Sequence, residues 1–395
     1  MELKRQDVKV NRAEVWQSTM HGGAKDSLVI AHQVAPRSIR LDRPLLREER
    51  EEEERSSLAL GAAFASGSGR RSIPEKPDRS RTCFEVDRDR ILHRSNAFRR
   101  LAGKTQVFIF PDDHMRNRLT HALEVTQIAR AISSQLRLNI PLTEAIALGH
   151  DCGHGPFGHA SEDALSQFLE EGFDHAPWGA SVVLSPLNLT SETLDGIANH
   201  SWSRPSPATA EGEVVSWADR IAYVCHDFED AVSAGIVLPS DLPDVVLALL
   251  GPTRSGQING FITNVVSVAT ETGTIAMTQE YGQALAAFRQ FNYTAIYHRE
   301  ASIEQAKSVG PLISALVEHF AQLPEAIPSR QAQNKALNTT FGVATSELPI
   351  PKTAQAYRES VGYVAGMTDR YAVKTALADL GWKPEQIPRG IETRL

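Results

Sequence analysis

Three stretches of this chain read as helices that carry ionisable residues on or beside their apolar faces, and that conflict limits what the chain can fold into. In residues 115–136, MRNRLTHALEVTQIARAISSQL, Val125, Ile128, Ala129, Ile132 and Leu136 recur at helical spacing and mark a buried face. His121 lies four residues before Val125 and Arg118 three before His121, so both share that face. In residues 141–155, PLTEAIALGHDCGHG, Pro141 and Thr143 open a helix that Gly153, Gly155 and Pro156 end. His150 follows Ile146 by four residues at the inward end. In residues 211–235, EGEVVSWADRIAYVCHDFEDAVSAG, the apolar side is Val215, Ala218, Ile221, Ala222 and Cys225. Asp219, Tyr223 and Asp227 border it at four-residue steps. A carboxylate beside a buried face is costly unless it is paired or bound to metal.

The rest of the chain fits an all-α protein. From 115 onward nearly every long segment reads as helix, strand signals are few, and GFITNVVSVAT (260–270) reads as either. Residues 1–44 are expected to form a loosely structured extension, 45–240 a catalytic core, and 241–395 a C-terminal helical region packing on that core. The charge run REEREEEERS (47–56) reads as a solvated helix end or mobile segment, and ASGSGRRSIPEKPDRS (65–80) as a loop. Arginines then crowd 81–100.

Hydrophobic residues make up 42%, enough for a sizeable core. Lys plus Arg number 41 against 48 Asp plus Glu, a net charge of −7 that argues against a general nucleic-acid or membrane-surface binder. Cys83, Cys152 and Cys225 form no CxxC and no disulfide framework, which fits a reducing cytoplasm. No run approaches the ~20 apolar residues of a membrane span. The start, MELKRQDVKVNRAEVW, lacks the apolar core of a signal peptide.

Histidines cluster between His121 and His175, with His150–Asp151, His154 and His159 between them. Imidazole and carboxylate hold first-row divalent metals. His121, His150, Asp151 and Asp219, on three separate helices, would make a four-ligand site. A metal with open positions lowers the pKa of bound water.

The order H…HD…D resembles the HD-domain metal-dependent phosphohydrolases. The flanking text is more specific: FEVDRDRILHRSNAFRRLAGKTQVF (84–108), RNRLTHALEVTQIAR (116–130), EAIALGHDCGHGPFGHASE (144–162), ADRIAYVCHDFEDA (218–231) and YVAGMTDRYA (363–372). These look like the deoxyguanosine triphosphate triphosphohydrolase branch, over residues 45 to 380. The resemblance implies an all-helical HD fold with additional C-terminal helices. It implies hydrolysis of a deoxynucleoside triphosphate to deoxynucleoside plus tripolyphosphate.

The resemblance further implies metal ligands at His121, His150, Asp151 and Asp219, and an acid/base pair at His159 and Glu162. It implies an active-site histidine at His175, and substrate contacts at Arg118, His154, Tyr223, Asp227 and Gln106. The metal would be Mg, Mn, Co, Ni, Fe or Zn, since such sites follow a general affinity order. The implied partners are a dNTP substrate and a homo-oligomer. For some members there is also an allosteric nucleotide, which the arginines of 81–100 would bind unless they form a salt-bridged helix. Segment 363–372 is assigned to packing or subunit contact.

The chain departs from the family pattern in places. Ala176 and Trp178 stand where a small amide pair is common, Cys152 where an aliphatic residue is usual, and Gly362 where Asp is frequent. The rival readings are another HD phosphohydrolase (a 5′-nucleotidase or phosphodiesterase) or a nucleotide- or single-strand-DNA-sensing protein that keeps the site as a receptor.

Overall fold

The computed structural model describes residues 11–19, 23–25, 28–30, 39–40, 42–109, 113–328 and 348–388. The chain forms two units, residues 1–45 and 46–395. In the first, helix α1 (Arg12–Thr19) precedes a short antiparallel pair, β1 (Gly23–Lys25) and β2 (Leu28–Ile30), with Ala24 opposite Val29. The described part of the extension is therefore more regular than its lack of periodicity suggests, because each element is only a few residues long.

The second unit is helical. The charge run forms α2 (Arg47–Ser57), a helix most of whose residues face solvent. Arg47 and Glu51 are buried and paired at 2.6 Å, and Glu51 and Glu54 accept the backbone N–H groups of Gly67 and Ala65. Carboxylates on one edge of the run thus satisfy backbone amides of loop 65–67.

Next come α3 (Cys83–Arg94), α4 (Arg118–Gln135), α5 (Ile140–Gly149), α6 (Ser191–Ala198) and α7 (Ala210–Ser233). Each starts where a side-chain oxygen accepts orphan amides: Asn117 for α4, Asn139 for α5 with Pro141 in its first turn, Thr209 for α7. Val125, Ile128, Ala129 and Ile132 of α4 are fully buried with Leu142 and Ile146 of α5 and Val215, Ala218, Ile221 and Ala222 of α7. Each large aliphatic among them contributes about 1.5–3 kcal/mol by leaving water.

Residues 260–270 are helical, inside α8 (Arg254–Thr272), where Phe261, Ile262 and Val265 face the same core. Helix α9 (Gln279–Asn292) follows and runs into a π-helical turn, Tyr293–Tyr297. Helices α10 (Glu300–Gln322), α11 (Ala354–Ala365) and α12 (Asp369–Asp379) build a second core around Leu316, Phe320, Val361 and Val373. Phe157, Leu165 and Trp178, from the connection after α5, belong to this second core. That connection therefore runs along the seam between the two cores.

Three of the six arginines of 81–100 are ion-paired. Arg81 meets Asp78 and Asp89, Arg88 meets Glu144, and Arg90 meets Glu75. These pairs fit the salt-bridged helix of the two expectations.

Candidate active site

The helical face of α4 brings Arg118 and His121 inward, both buried at the end nearest the seam. His150 caps α5, and its Nδ1–H donates to the Ala147 carbonyl at 2.6 Å. That bond fixes the ring so that Nε2 looks into the site. Asp219 projects from α7, with Oδ1 3.0 Å from His121 Nε2 and 3.6 Å from His150 Nε2. Asp151 Oδ1 lies 3.4 Å from His150 Nε2, while its Oδ2 accepts from Arg118 at 2.8 Å.

These residues fit a divalent cation. His121, His150 and Asp219 each offer one ligand atom within 4.8 Å of the others. His150 Nε2 is buried with no hydrogen-bond partner. The field is negative: burial favours neutral His150, yet Asp151 and Asp219 raise it to about 9. Burial likewise opposes the charge on Asp219, but His121 and His150 hold its carboxyl well below the usual range. A site that favours a proton so strongly suits a bound cation.

Beyond the pair, the chain turns at Phe157 and Gly158, and a short helical stretch carries His159 to Glu162. Glu162 Oε1 is a hub. His175 Nδ1 lies 2.8 Å from it, His159 Nδ1 3.2 Å and His154 Nδ1 3.3 Å. Burial opposes its charge, but His154, His159 and His175 together hold it far below the carboxylate range. His154 stacks on His175 at 3.6 Å, and burial with the Arg118 charge pushes its pKa well down, so it is neutral. His159 is the exposed member of the group.

A cavity of about 1300 Å³ opens on this assembly, above the ~300–1,000 Å³ of most small-ligand sites. Of the residues expected at the site, Gln106, Arg118, His121, Asp151, His154, His159, His175, Asp219 and Tyr223 line it. Gln106 Oε1 is buried without a partner. Asp227 is fully buried behind the wall, where the Tyr297 hydroxyl donates to its Oδ2 at 2.5 Å.

The sequence reading missed several neighbours. His200 is buried, donates through Nδ1 to the Ile197 carbonyl at 2.8 Å, and sets Nε2 3.3 Å from His175 Nε2. Burial and the charges of His150 and His175 lower it to about 3. Arg220, Arg289, Tyr293 and Tyr297 also line the cavity, and Arg220 Nε is buried without a partner. Tyr223 and Tyr297 stack at 5.5 Å. Arg220 follows Asp219 directly, and that adjacency was the available signal. The others sit in ordinary helical text far along the chain.

The departures at Ala176 and Trp178 do not face the cavity. Both are buried, and the Trp178 ring lies 3.8 Å from where a Cβ on Gly362 would stand. Trp178 and Gly362 are therefore neighbours at ordinary contact distance, away from the cavity. Cys152 is buried, and burial pushes its thiol up to about 12, which leaves it unreactive.

Family models match the chain in two places: "HD domain" over residues 118–224 and "Phosphohydrolase-associated domain" over residues 275–377. Fold and site together define an HD-domain phosphohydrolase. A protein of Caldanaerobacter subterraneus subsp. tengcongensis named deoxyguanosinetriphosphate triphosphohydrolase-like protein is 39% identical over 335 residues, covering 83% of this chain and 94% of that one. Namesakes from Clostridium perfringens (39%, covering 82% and 95%) and Rhodopseudomonas palustris (33%, covering 79% and 94%) match similarly. This chain belongs to that family, the deoxyguanosinetriphosphate triphosphohydrolase-like proteins. A crystal structure of a hypothetical protein from Aquifex aeolicus overlaps 75% of this chain and 68% of its own at TM-score 0.41 and 16% identity, too loose to carry an argument. Among the described residues no helix is long and apolar enough to cross a membrane.

Proposed function

We propose that the protein is a metal-dependent dNTP triphosphohydrolase: water attacks the α-phosphorus, the bond to the 5′-oxygen breaks, and deoxynucleoside and tripolyphosphate leave. The observation that carries this is one cavity that joins a His/Asp donor set, three arginines and a tyrosine wall. A triphosphate needs the arginines, and a sugar suits the tyrosines.

His121, His150, Asp151 and Asp219 would hold the metal. When bound, it supplies an activated water and polarises the phosphoryl group. Arg118, Arg220 and Arg289 bind phosphate oxygens; the unpartnered Nε of Arg118 and of Arg220 is available for this. His159 protonates the leaving 5′-oxygen, and Glu162 orients it together with His154 and His175. Tyr223 and Tyr297 receive the sugar, with Asp227 acting through Tyr297, and leave little room for a 2′-hydroxyl. The buried, unpaired cysteines suit the cytoplasm.

Chromatography of products after incubation with each dNTP and Mg²⁺ or Mn²⁺ tests the reading. Tripolyphosphate with deoxynucleoside is expected. Orthophosphate or pyrophosphate would place the protein among other HD phosphohydrolases. DNA binding without hydrolysis under any metal would make it a receptor. Asp219→Ala should lose bound metal by elemental analysis while keeping its helical circular dichroism; full metal content removes Asp219 from the ligand set.

A further inference from the structure

We infer that Asp369, in the C-terminal helical region, is a positioning residue of the active site: it locks the turn that delivers His159. Asp369 is the first residue of α12 and is buried. A carboxylate there ordinarily serves the amides of its own helix. Here both oxygens serve other segments. Oδ1 accepts the Phe157 N–H at 2.7 Å. Oδ2 accepts the Thr105 N–H at 2.8 Å and the Thr105 hydroxyl at 2.6 Å.

The bonded amide sits at a strained place. Phe157 has φ +62 and Gly158 φ +60, two successive left-handed residues immediately before His159. A side chain with Cβ adopts that conformation only when its surroundings hold it. Gly158 in turn abuts the phosphate-binding arginine: a Cβ on it would stand 2.4 Å from Arg118 Nη2. A shift of this turn therefore moves His159 and crowds Arg118 together.

A second tie runs parallel. The Lys104 ammonium, buried, donates to the Ala365 carbonyl at 2.8 Å and to the His154 carbonyl. Gly103 packs on Thr368, where a Cβ would come within 2.8 Å of Cγ2. Residues 103–105, 154–158 and 365–369 thus meet in one buried knot under the catalytic turn. The segment expected to serve packing or subunit contact does pack, and it also reaches the back of the active site.

The test uses Asp369→Asn in the full-length protein. The carboxamide keeps the shape, but its NH₂ meets a donor on one side. Amide hydrogen exchange should accelerate in residues 155–160 and 104–106 while α4, α5 and α7 stay protected. Metal content should be unchanged, and kcat should fall about 10–100-fold, more than KM rises, as for a small misplacement of a reacting group. If Asp369→Asn does not fold, Thr105→Val removes one donor and keeps both backbone bonds. It should give the same localised change at smaller amplitude. Wild-type exchange in the turn, or acceleration spread evenly over the molecule, overturns the inference. The kinetic arm rests on the dNTP reading and the exchange arm does not. A wild-type protein that hydrolyses no dNTP sinks that reading and leaves exchange to decide this one.

Discussion

Glu162 shows how much one oxygen can organise. The sequence suggests a simple pair, His159 with Glu162 three residues on, in which the carboxylate only orients the imidazole. In the fold, Oε1 serves His154, His159 and His175, and His175 is the closest of the three. His159→Ala should therefore keep metal and nucleotide binding but lose about 10²–10⁴-fold in kcat. Glu162→Gln should lose at least as much, because it removes the charge that three imidazoles share. Steady-state kinetics with metal analysis on both variants checks this; near-normal turnover in either would sink its assigned role. Arg118 is as heavily used, gripping Asp151 while its Nε stays open. A lysine ammonium cannot reproduce that fork. Arg118→Lys should lower kcat/KM by about 10–100-fold, the worth of a charged hydrogen bond, and wild-type constants would make Arg118 merely structural.

At the scale of elements, the site depends on how closely two segments approach. The turn after α5 runs against the short helix that starts at His175. A Cβ on Gly153 would stand 1.9 Å from the His175 carbonyl oxygen and 2.6 Å from the Gly179 nitrogen. Both contacts are backbone, so no side-chain rotation relieves them. Gly153→Ala should cost about 3 kcal/mol or more, at the upper end of overpacking effects, and separate His175 from Glu162. Urea unfolding measures it, and a variant as stable as the parent would mean that the two segments do not touch as described.

Over the whole molecule, stability should fall with acid for an identifiable reason. His226 is buried in α7 beside Arg116, which pairs with Glu124, Glu229 and Asp230 and so joins the segment before α4 to α7. Burial and the positive charges of Arg116, His121 and Arg254 lower His226 to about 2. The unfolded chain takes up a proton near the ordinary histidine value of about 6.5, and the folded chain does not. As pH falls below that value the unfolded state binds more protons, so stability is lost down to the folded pKa. The slope is about 1.4 kcal/mol per pH unit from this group. Below about pH 6.5, where His154 and His200 act in the same direction, urea unfolding should show at least that slope, and His226→Gln should reduce it by about 1.4 kcal/mol per pH unit. Equal slopes in the two proteins would assign the acid sensitivity elsewhere.

Helices α4, α5 and α7 were legible because their periodicity is local. A 3.6-residue repeat decides which residues turn inward without knowing what they will meet. So His121, His150 and Asp219 could be placed on inward or bordering faces from text alone, and the structure brings them within ligand distance of one another. His200, Arg289 and Tyr297 could not, since nothing near them in the chain marks them. The charge run at 47–56 was legible as a solvated helix segment, but only packing shows that Glu51 and Glu54 serve loop amides. Trp178 and Gly362 looked like separate departures until the fold made them neighbours. Asp369 stands at a helix start, yet its carboxylate serves Phe157 and Thr105, which no local text indicates. A side chain's direction follows from its own few neighbours in sequence. Its partner follows from how the two cores pack on each other, and that depends on contacts between residues hundreds of positions apart.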